Sequence, residues 1–173
     1  MIAFAKIVIA NKELVIEMKI VFLDIDGVLN FGGCTERAPS GCIGILDDKL
    51  ILLKRIIDET NAKIVLVSTW KFGWEKDNKN DMVLDCVYMA EKFAQHGLYI
   101  YDKTYDRGFN RGQGITEYLF NTEDVVESWI VIDDEVFVDY EENGVMDRLI
   151  KTCFGNDGLL EHHVEEAIKK LNA

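Results

Sequence analysis

Two aspartates, Asp24 and Asp26, stand one residue apart at the end of an apolar run, in the stretch VFLDIDGVLN over residues 21–30, with Gly27 directly after them. Like charges that close repel, and apolar surroundings make each harder to ionise. Two other apolar runs end in polar pairs: Ser68 and Thr69 close KIVLVST, and Asp133 and Asp134 close WIVIDD. If these endings converge, the four carboxylates need a cation among them. Carboxylate oxygens with water suit a hard divalent ion, Mg²⁺ first of all. Such an ion lowers carboxylate pKa values and leaves coordination positions for phosphate oxygens. One carboxylate is then available as a nucleophile and its neighbour as a proton carrier, a division set by environment.

Blander readings compete. A D-x-D pair alone is weak evidence, because surface acid pairs are common. A calcium loop of the EF-hand type needs glycine at its sixth position and glutamate at its twelfth. Counting from Asp24, Gly27 is fourth and Thr35 is twelfth, so that reading fails. Nucleotide-sugar transferases also hold a metal with D-x-D. Asp133 and Asp134 could cap a helix, as could Ser68 and Thr69.

The elements that must position these residues alternate. IVFLDID and KIVLVSTW have the unbroken apolar character of strands buried on both faces. SWIVIDD is a third such strand, LYIYD a short one, and VMDRLIKTCFGNDG supplies a last strand and turn. Between them, ILDDKLILLKRIIDET carries Leu46, Leu50, Leu53 and Ile57 at helical spacing, and DMVLDCVYMAEKFAQHG ends on Gly97, placed to cap a helix. KTYDRGFNRGQG is expected to be loop, GITEYLFN a short helix, and LLEHHVEEAIKKLNA an amphipathic closing helix with Leu160, Val164, Ile168 and Leu171 on one face. Alternating strands and helices mean an α/β fold with a mostly parallel sheet, in which ligands gather at the carboxyl ends of the strands.

Taken in order, DIDGV, VLVS and VIDD resemble the first, second and fourth motifs of the haloacid dehalogenase (HAD) superfamily of phosphatases and phosphotransferases, over residues 20 to 134. With STWK, RGQGI and the late DGLL segment, the pattern is similar to the small HAD domains associated with RNA-repair proteins. The resemblance implies a three-layer Rossmann-like core. It implies that Asp24 attacks phosphorus to form an aspartyl-phosphate, and that Asp26 protonates the leaving oxygen and then activates water. Mg²⁺ would be held by Asp24, by the backbone carbonyl of Asp26, and by Asp133 and Asp134. Ser68 would hydrogen-bond the transferring phosphoryl group, with Thr69 beside it at the same rim. The third motif supplies a cation near the phosphate. Arg111, at the start of a helix before the fourth motif, is the preferred residue; Lys71 is a second phosphate contact or a surface lysine, and Lys103 a weaker alternative. The intervals where this superfamily inserts a cap domain are too short here for a large one, so an open site is expected.

The chain has 173 residues, enough for one domain with a substantial core, and a single HAD-like domain over 1–173 is expected. Residues 1–17 read either as a β-hairpin turning at Asn11-Lys12 or as an extension ahead of a natural start at Met18. The net charge of −12 argues against extended nucleic-acid or anionic-lipid binding. Locally, however, YIYDKTYDRGFNR interleaves Lys103, Arg107 and Arg111 with Tyr99, Tyr101, Tyr105 and Phe109, a pattern suited to a phosphorylated ligand bearing a base, with Trp70, Phe72 and Trp74 as an opposite wall. The bland alternative packs these tyrosines in the core. Cys34, Cys42, Cys86 and Cys153 show no C-x-x-C spacing, which suits reduced cysteines in a cytoplasmic protein. His96, His162 and His163 lack metal-ligand spacing and read as surface or helix residues. The sequence therefore points to a Mg²⁺-dependent phosphohydrolase of phosphomonoesters: nucleotide, nucleic-acid end or small metabolite. A phosphotransferase and a non-hydrolytic module that binds a phosphorylated ligand or metal are the alternatives.

Overall fold

The computed structural model describes residues 7–10, 13–106 and 109–173. The turn expected at Asn11-Lys12 and Arg107 lie outside the described residues. The elements run β1 (Ile7–Ala10), β2 (Glu13–Leu23), α1 (Asp47–Thr60), β3 (Lys63–Leu66), α2 (Leu84–Gln95), β4 (Ile100–Lys103), α3 (Arg111–Asn121), β5 (Val125–Asp133), β6 (Leu149–Lys151) and α4 (Glu161–Leu171). The sheet has the order β4-β3-β2-β5-β6, all parallel, and β1 pairs antiparallel with the start of β2.

That order explains the apolar strands. β2 lies at the centre, and its side chains alternate between two cores. Val21 and Leu23 join Leu50 and Leu53 of α1, Met89 and Phe93 of α2, and Val164 and Leu171 of α4. Ile20 and Phe22 join Ile115 and Tyr118 of α3, together with Tyr140 and Val145 from the connection between β5 and β6. Phe22 meets Tyr118 and Trp129 edge-on, at 5.7 and 5.9 Å between ring centres. Two helical layers thus sandwich the sheet, the three-layer α/β core expected from the sequence, and no cap domain is inserted among the described residues. No helix there is long and apolar enough to cross a membrane.

The chain winds outward from β2 through β3 to β4, then returns beneath α3 to pair β5 on the other side of β2. The strand order therefore reverses between β2 and β5, which opens a crevice at their carboxyl ends.

One boundary departs from the sequence expectation. The RGQG segment is the first turn of α3, whereas two glycines so close together suggest loop. Packing decides it. A Cβ on Gly112 would lie 2.8 Å from the Asp139 carbonyl oxygen, and one on Gly114 would lie 2.3 Å from Asp106 Oδ1. The helix accepts the propensity cost of glycine because only glycine lets these two segments approach.

Candidate active site

Register brings the polar endings together. Leu23 pairs with Ile132 on one side and Leu66 on the other. The ladder runs on past the strand ends: Asp24 N donates to Ile132 O at 3.0 Å, and Val67 N donates to Leu23 O at 3.0 Å. Asp24, Asp133 and Ser68 consequently meet at one rim, on either side of the switch point. All three are buried. Just beyond, Gly27 takes a positive φ of 73°, which turns the chain over the strand tip. A Cβ at Gly27 would fall 2.3 Å from Asp134 Cγ, so glycine is what allows the second acid of the β5 pair to sit against this turn. Thr152, after β6, fixes the turn from below by donating its hydroxyl to Gly27 O at 2.8 Å.

Asp24, Asp133 and Asp134 each offer an oxygen, and the three atoms lie within 4.8 Å of one another. Arg111 supplies the cation nearest them. Its Nη1 is 2.5 Å from Asp133 Oδ2 and 3.3 Å from Asp24 Oδ1. A cation in the first turn of a helix opposes the macrodipole; here the two buried carboxylates offset that, and they raise the guanidinium pKa further although burial works against it. The Phe137 ring covers the guanidinium at 4.2 Å. Asp133 is saturated with donors: Arg111 and, at 2.7 Å, the Tyr140 hydroxyl reach Oδ2, while Glu135 N reaches Oδ1 at 2.9 Å.

Arg111, with Lys151 acting on Asp134 and Lys71 on Asp24 from farther off, does not offset the burial of these carboxylates. Burial, opposed by Arg111 and reinforced by Asp133, pushes the Asp24 carboxyl up to about 7. Burial and then Asp133 push Asp134 up to about 6. The site as folded therefore favours an added positive charge, and its all-oxygen donors, two of them buried, fit Mg²⁺.

The Asp26 carboxylate turns away from this triad. Its Oδ2 accepts from Trp70 Nε1 at 3.0 Å and its Oδ1 from Asn30 Nδ2 at 2.8 Å; Asn30 Oδ1 in turn accepts from Gly27 N at 3.0 Å. Its side chain is thus held at the mouth of the site, apart from the three clustered acids. Ser68 faces Asp24, where its hydrogen bond favours the ionised carboxylate, and its oxygen also caps the 3₁₀ turn Thr69–Gly73. Thr69 is exposed at the rim. Lys71 is buried rather than on the surface. Its ammonium donates to Thr104 Oγ1 at 2.9 Å and pairs with Asp106 Oδ1 at 2.5 Å, while desolvation lowers its pKa. Lys103 points elsewhere, onto the Trp74 carbonyl at 2.6 Å and Glu75 at 3.2 Å. Of the three third-motif candidates, Arg111 is the one ion-paired with the clustered carboxylates, while Lys71 acts on Asp24 only at longer range.

A cleft of about 630 Å³ opens over the triad, lined by Asp24, Asp26, Arg111 and Asp134 with Phe109 and Phe154 at its rim. Of the interleaved segment 99–111, Phe109 and Arg111 face this cleft. Tyr101 instead donates to Asp124 at 3.1 Å, and Tyr105 lines a separate cavity with Asp102 and Gly114. Of the suggested opposite wall, Trp74 is buried in the core beneath α2, whereas Trp70 and Phe72 line an adjoining cavity. His163 accepts the Leu160 amide through Nδ1 at 3.0 Å and serves the start of α4.

Sequence reasoning missed Tyr140 and Asp106. Tyr140 lies seven residues beyond Asp133 in an acidic connection, with no spacing to mark it. Asp106 sits in a loop whose course the sequence does not specify. Asn30, four residues after Asp26 within VLN, carried a signal that was readable as a turn-closing amide.

A family model described as the HAD domain in Swiss Army Knife RNA repair proteins matches residues 20–164. No curated protein matches the chain.

Proposed function

The chain belongs to the HAD-domain family of the Swiss Army Knife RNA repair proteins, and from that premise we propose that it is a Mg²⁺-dependent phosphohydrolase acting on phosphomonoesters through an aspartyl-phosphate. The observation that carries the reading is the placement of Asp24. Its carboxylate belongs to the three-acid cluster and also stands 3.3 Å from the Arg111 guanidinium, at the floor of an open cleft. It is the group in this site that a metal and a cation can hold while a substrate approaches.

Asp24, Asp134 and, through water or directly, Asp133 would hold Mg²⁺ with the Asp26 carbonyl. Bound there, the ion supplies charge neutralisation for the carboxylates and for the phosphoryl oxygens. The chain's own residues do the rest. A substrate phosphate entering the cleft meets the Arg111 guanidinium and the Ser68 hydroxyl, which orient its oxygens. An Asp24 oxygen attacks phosphorus as the ester P–O bond breaks, and Asp26 gives its proton to the departing alkoxide. The products of this half are the alcohol and an acyl phosphate on Asp24. Asp26, now a carboxylate, takes a proton from a water whose oxygen attacks phosphorus. The Asp24–P bond breaks, and Asp24 and phosphate are released. Trp70 and Asn30 each donate to the Asp26 carboxylate and fix its rotamer, which places one proton carrier for both halves.

The deciding experiment is a phosphatase screen with Mg²⁺ against aryl phosphate, nucleotides and phosphorylated oligonucleotides, run beside Asp24→Asn. Turnover that needs Mg²⁺ and vanishes in the variant supports the reading. Equal inertness of both proteins on every substrate rejects it.

A further inference from the structure

A second cavity, of about 450 Å³, adjoins the catalytic cleft. It shares Asp26 and Thr69 with that cleft and runs on between the Thr69–Gly73 turn and the start of α2. We propose that it is a leaving-group pocket for a planar aromatic ring, so that the favoured substrate is a nucleoside monophosphate. This rests on the phosphohydrolase reading above.

The direction follows from chemistry. A group that protonates the leaving oxygen must stand beside it, so the remainder of the alcohol departs on the Asp26 side. Asp26 faces the triad cleft on one side and the second cavity on the other. With phosphorus held over Asp24, the carbon skeleton of the substrate is directed into this second space.

The lining identifies what fits. Trp70 presents a half-buried indole whose orientation is fixed by its bond to Asp26. Phe72, in the same turn, is 57% exposed although large and apolar, and Val83 at the head of α2 is 55% exposed. Two aromatic side chains that line the space beside the proposed acid offer rings on which stacking is favourable for any base. The size falls within the ordinary range for small-ligand pockets, about 300–1,000 Å³. The charged groups among the described lining residues are carboxylates, Asp26 and Asp85, and Asp85 is occupied by the Ser40 amide at 2.9 Å. Further phosphates on the leaving group would meet negative charge there. An uncharged ring matches the pocket; a polyphosphate or a long nucleic-acid backbone does not.

The test has two arms. In the first, adenosine, which has no phosphate, is titrated into the protein while tryptophan fluorescence is followed, with wild type, Phe72→Ala and Phe72→Trp compared. Saturable quenching is expected, weakened about tenfold by Phe72→Ala and retained by Phe72→Trp. In the second, kcat/KM is measured with Mg²⁺ for adenosine 5′-monophosphate, glycerol 2-phosphate and a 5′-phosphorylated oligonucleotide. The mononucleotide should lead, and its advantage over glycerol phosphate should shrink about tenfold in Phe72→Ala. Adenosine binding that is absent or indifferent to Phe72 overturns the pocket, as does preference for the oligonucleotide. If adenosine binds through Phe72 while no phosphate ester is turned over, the pocket stands and the phosphohydrolase reading falls.

Discussion

Arg111 Nη1 lies 2.5 Å from Asp133 Oδ2, so the first residue of α3 is clamped to the last residue of β5 inside the protein. Both side chains are buried, and the Asp24 carboxylate shares the same guanidinium at 3.3 Å. This contact joins the helix that crosses back over the sheet to the strand it leads into, at the point where the proposed chemistry occurs.

Removing the guanidinium leaves buried carboxylates without their partner. Arg111→Met is expected to cost about 3–5 kcal/mol of stability in metal-free buffer and to cut turnover by about a hundredfold or more. Urea denaturation in EDTA and with Mg²⁺ separates the two effects, because the ion should restore part of the stability but little of the rate. Full stability of Arg111→Met in EDTA would show that the clamp carries no energy.

The acid cluster predicts a pH dependence with a definite sign. The Asp24 carboxyl rises from 3.8 to about 7 on folding, chiefly through burial, and Asp134 rises to about 6. At these two groups the folded protein therefore binds more protons than the unfolded chain between 3.8 and about 7, and their contribution to metal-free stability falls as pH rises through that window. Asp24→Asn should flatten the decline. Mg²⁺, which favours the ionised acids, should raise the Tm more at pH 7 than at pH 5. Thermal melts of both proteins across this range, with EDTA or Mg²⁺, provide the check; an equal Mg²⁺ increment at both pH values contradicts the assignment.

Gly27 tests the turn that brings Asp134 to the site. Gly27→Ala meets both a positive φ and the Asp134 side chain at 2.3 Å. It should lower Mg²⁺ affinity by about 10–100-fold, as loss of a supporting contact does, in addition to a backbone cost of about 1 kcal/mol or more. Gly41→Ala is the matched control, since Gly41 also has positive φ but a Cβ there meets nothing within 4 Å. Calorimetric Mg²⁺ titration of both variants should show the affinity loss only at Gly27.

Asp26 is expected to matter in proportion to the basicity of the leaving group. Asp26→Asn keeps the Trp70 and Asn30 neighbourhood similar in shape but cannot donate the proton, which should cost about 10²–10⁴ in rate for an alkyl phosphate. With p-nitrophenyl phosphate, whose leaving group needs no proton, the first half should suffer far less, and phosphoenzyme should accumulate because water activation is also lost. Rapid-quench kinetics with both substrates would reveal the difference; an equal loss on both would remove Asp26 as the acid.

The fold was largely legible in the sequence because its central strands are buried on both faces. A strand such as IVFL has no solvent side, so its apolar run is continuous, and the polar residue ending it marks the rim of the sheet. The same logic located Asp24, Ser68 and Asp133. Parallel neighbours in register end at the same level, so three distant stretches were bound to meet once their strands paired.

Side-chain pairing was not legible, because it depends on distances between segments far apart in the chain. Lys71 and Arg111 look alike as cations near motifs. Only the packed structure sends one to Asp106 and Thr104 and the other to Asp24 and Asp133. The glycines of RGQG belong to a helix because Asp139 and Asp106 crowd against them, a fact held by loops rather than by local propensity. Tyr140 reaches Asp133 across a connection with no periodicity. The sequence by itself determined which residue types stand at the strand ends, because burial on two faces writes itself into every position of a strand. Tertiary structure decided which charges share a partner and which face open space, because those outcomes depend on ångström-scale approach between loops that hydrophobic patterning does not encode.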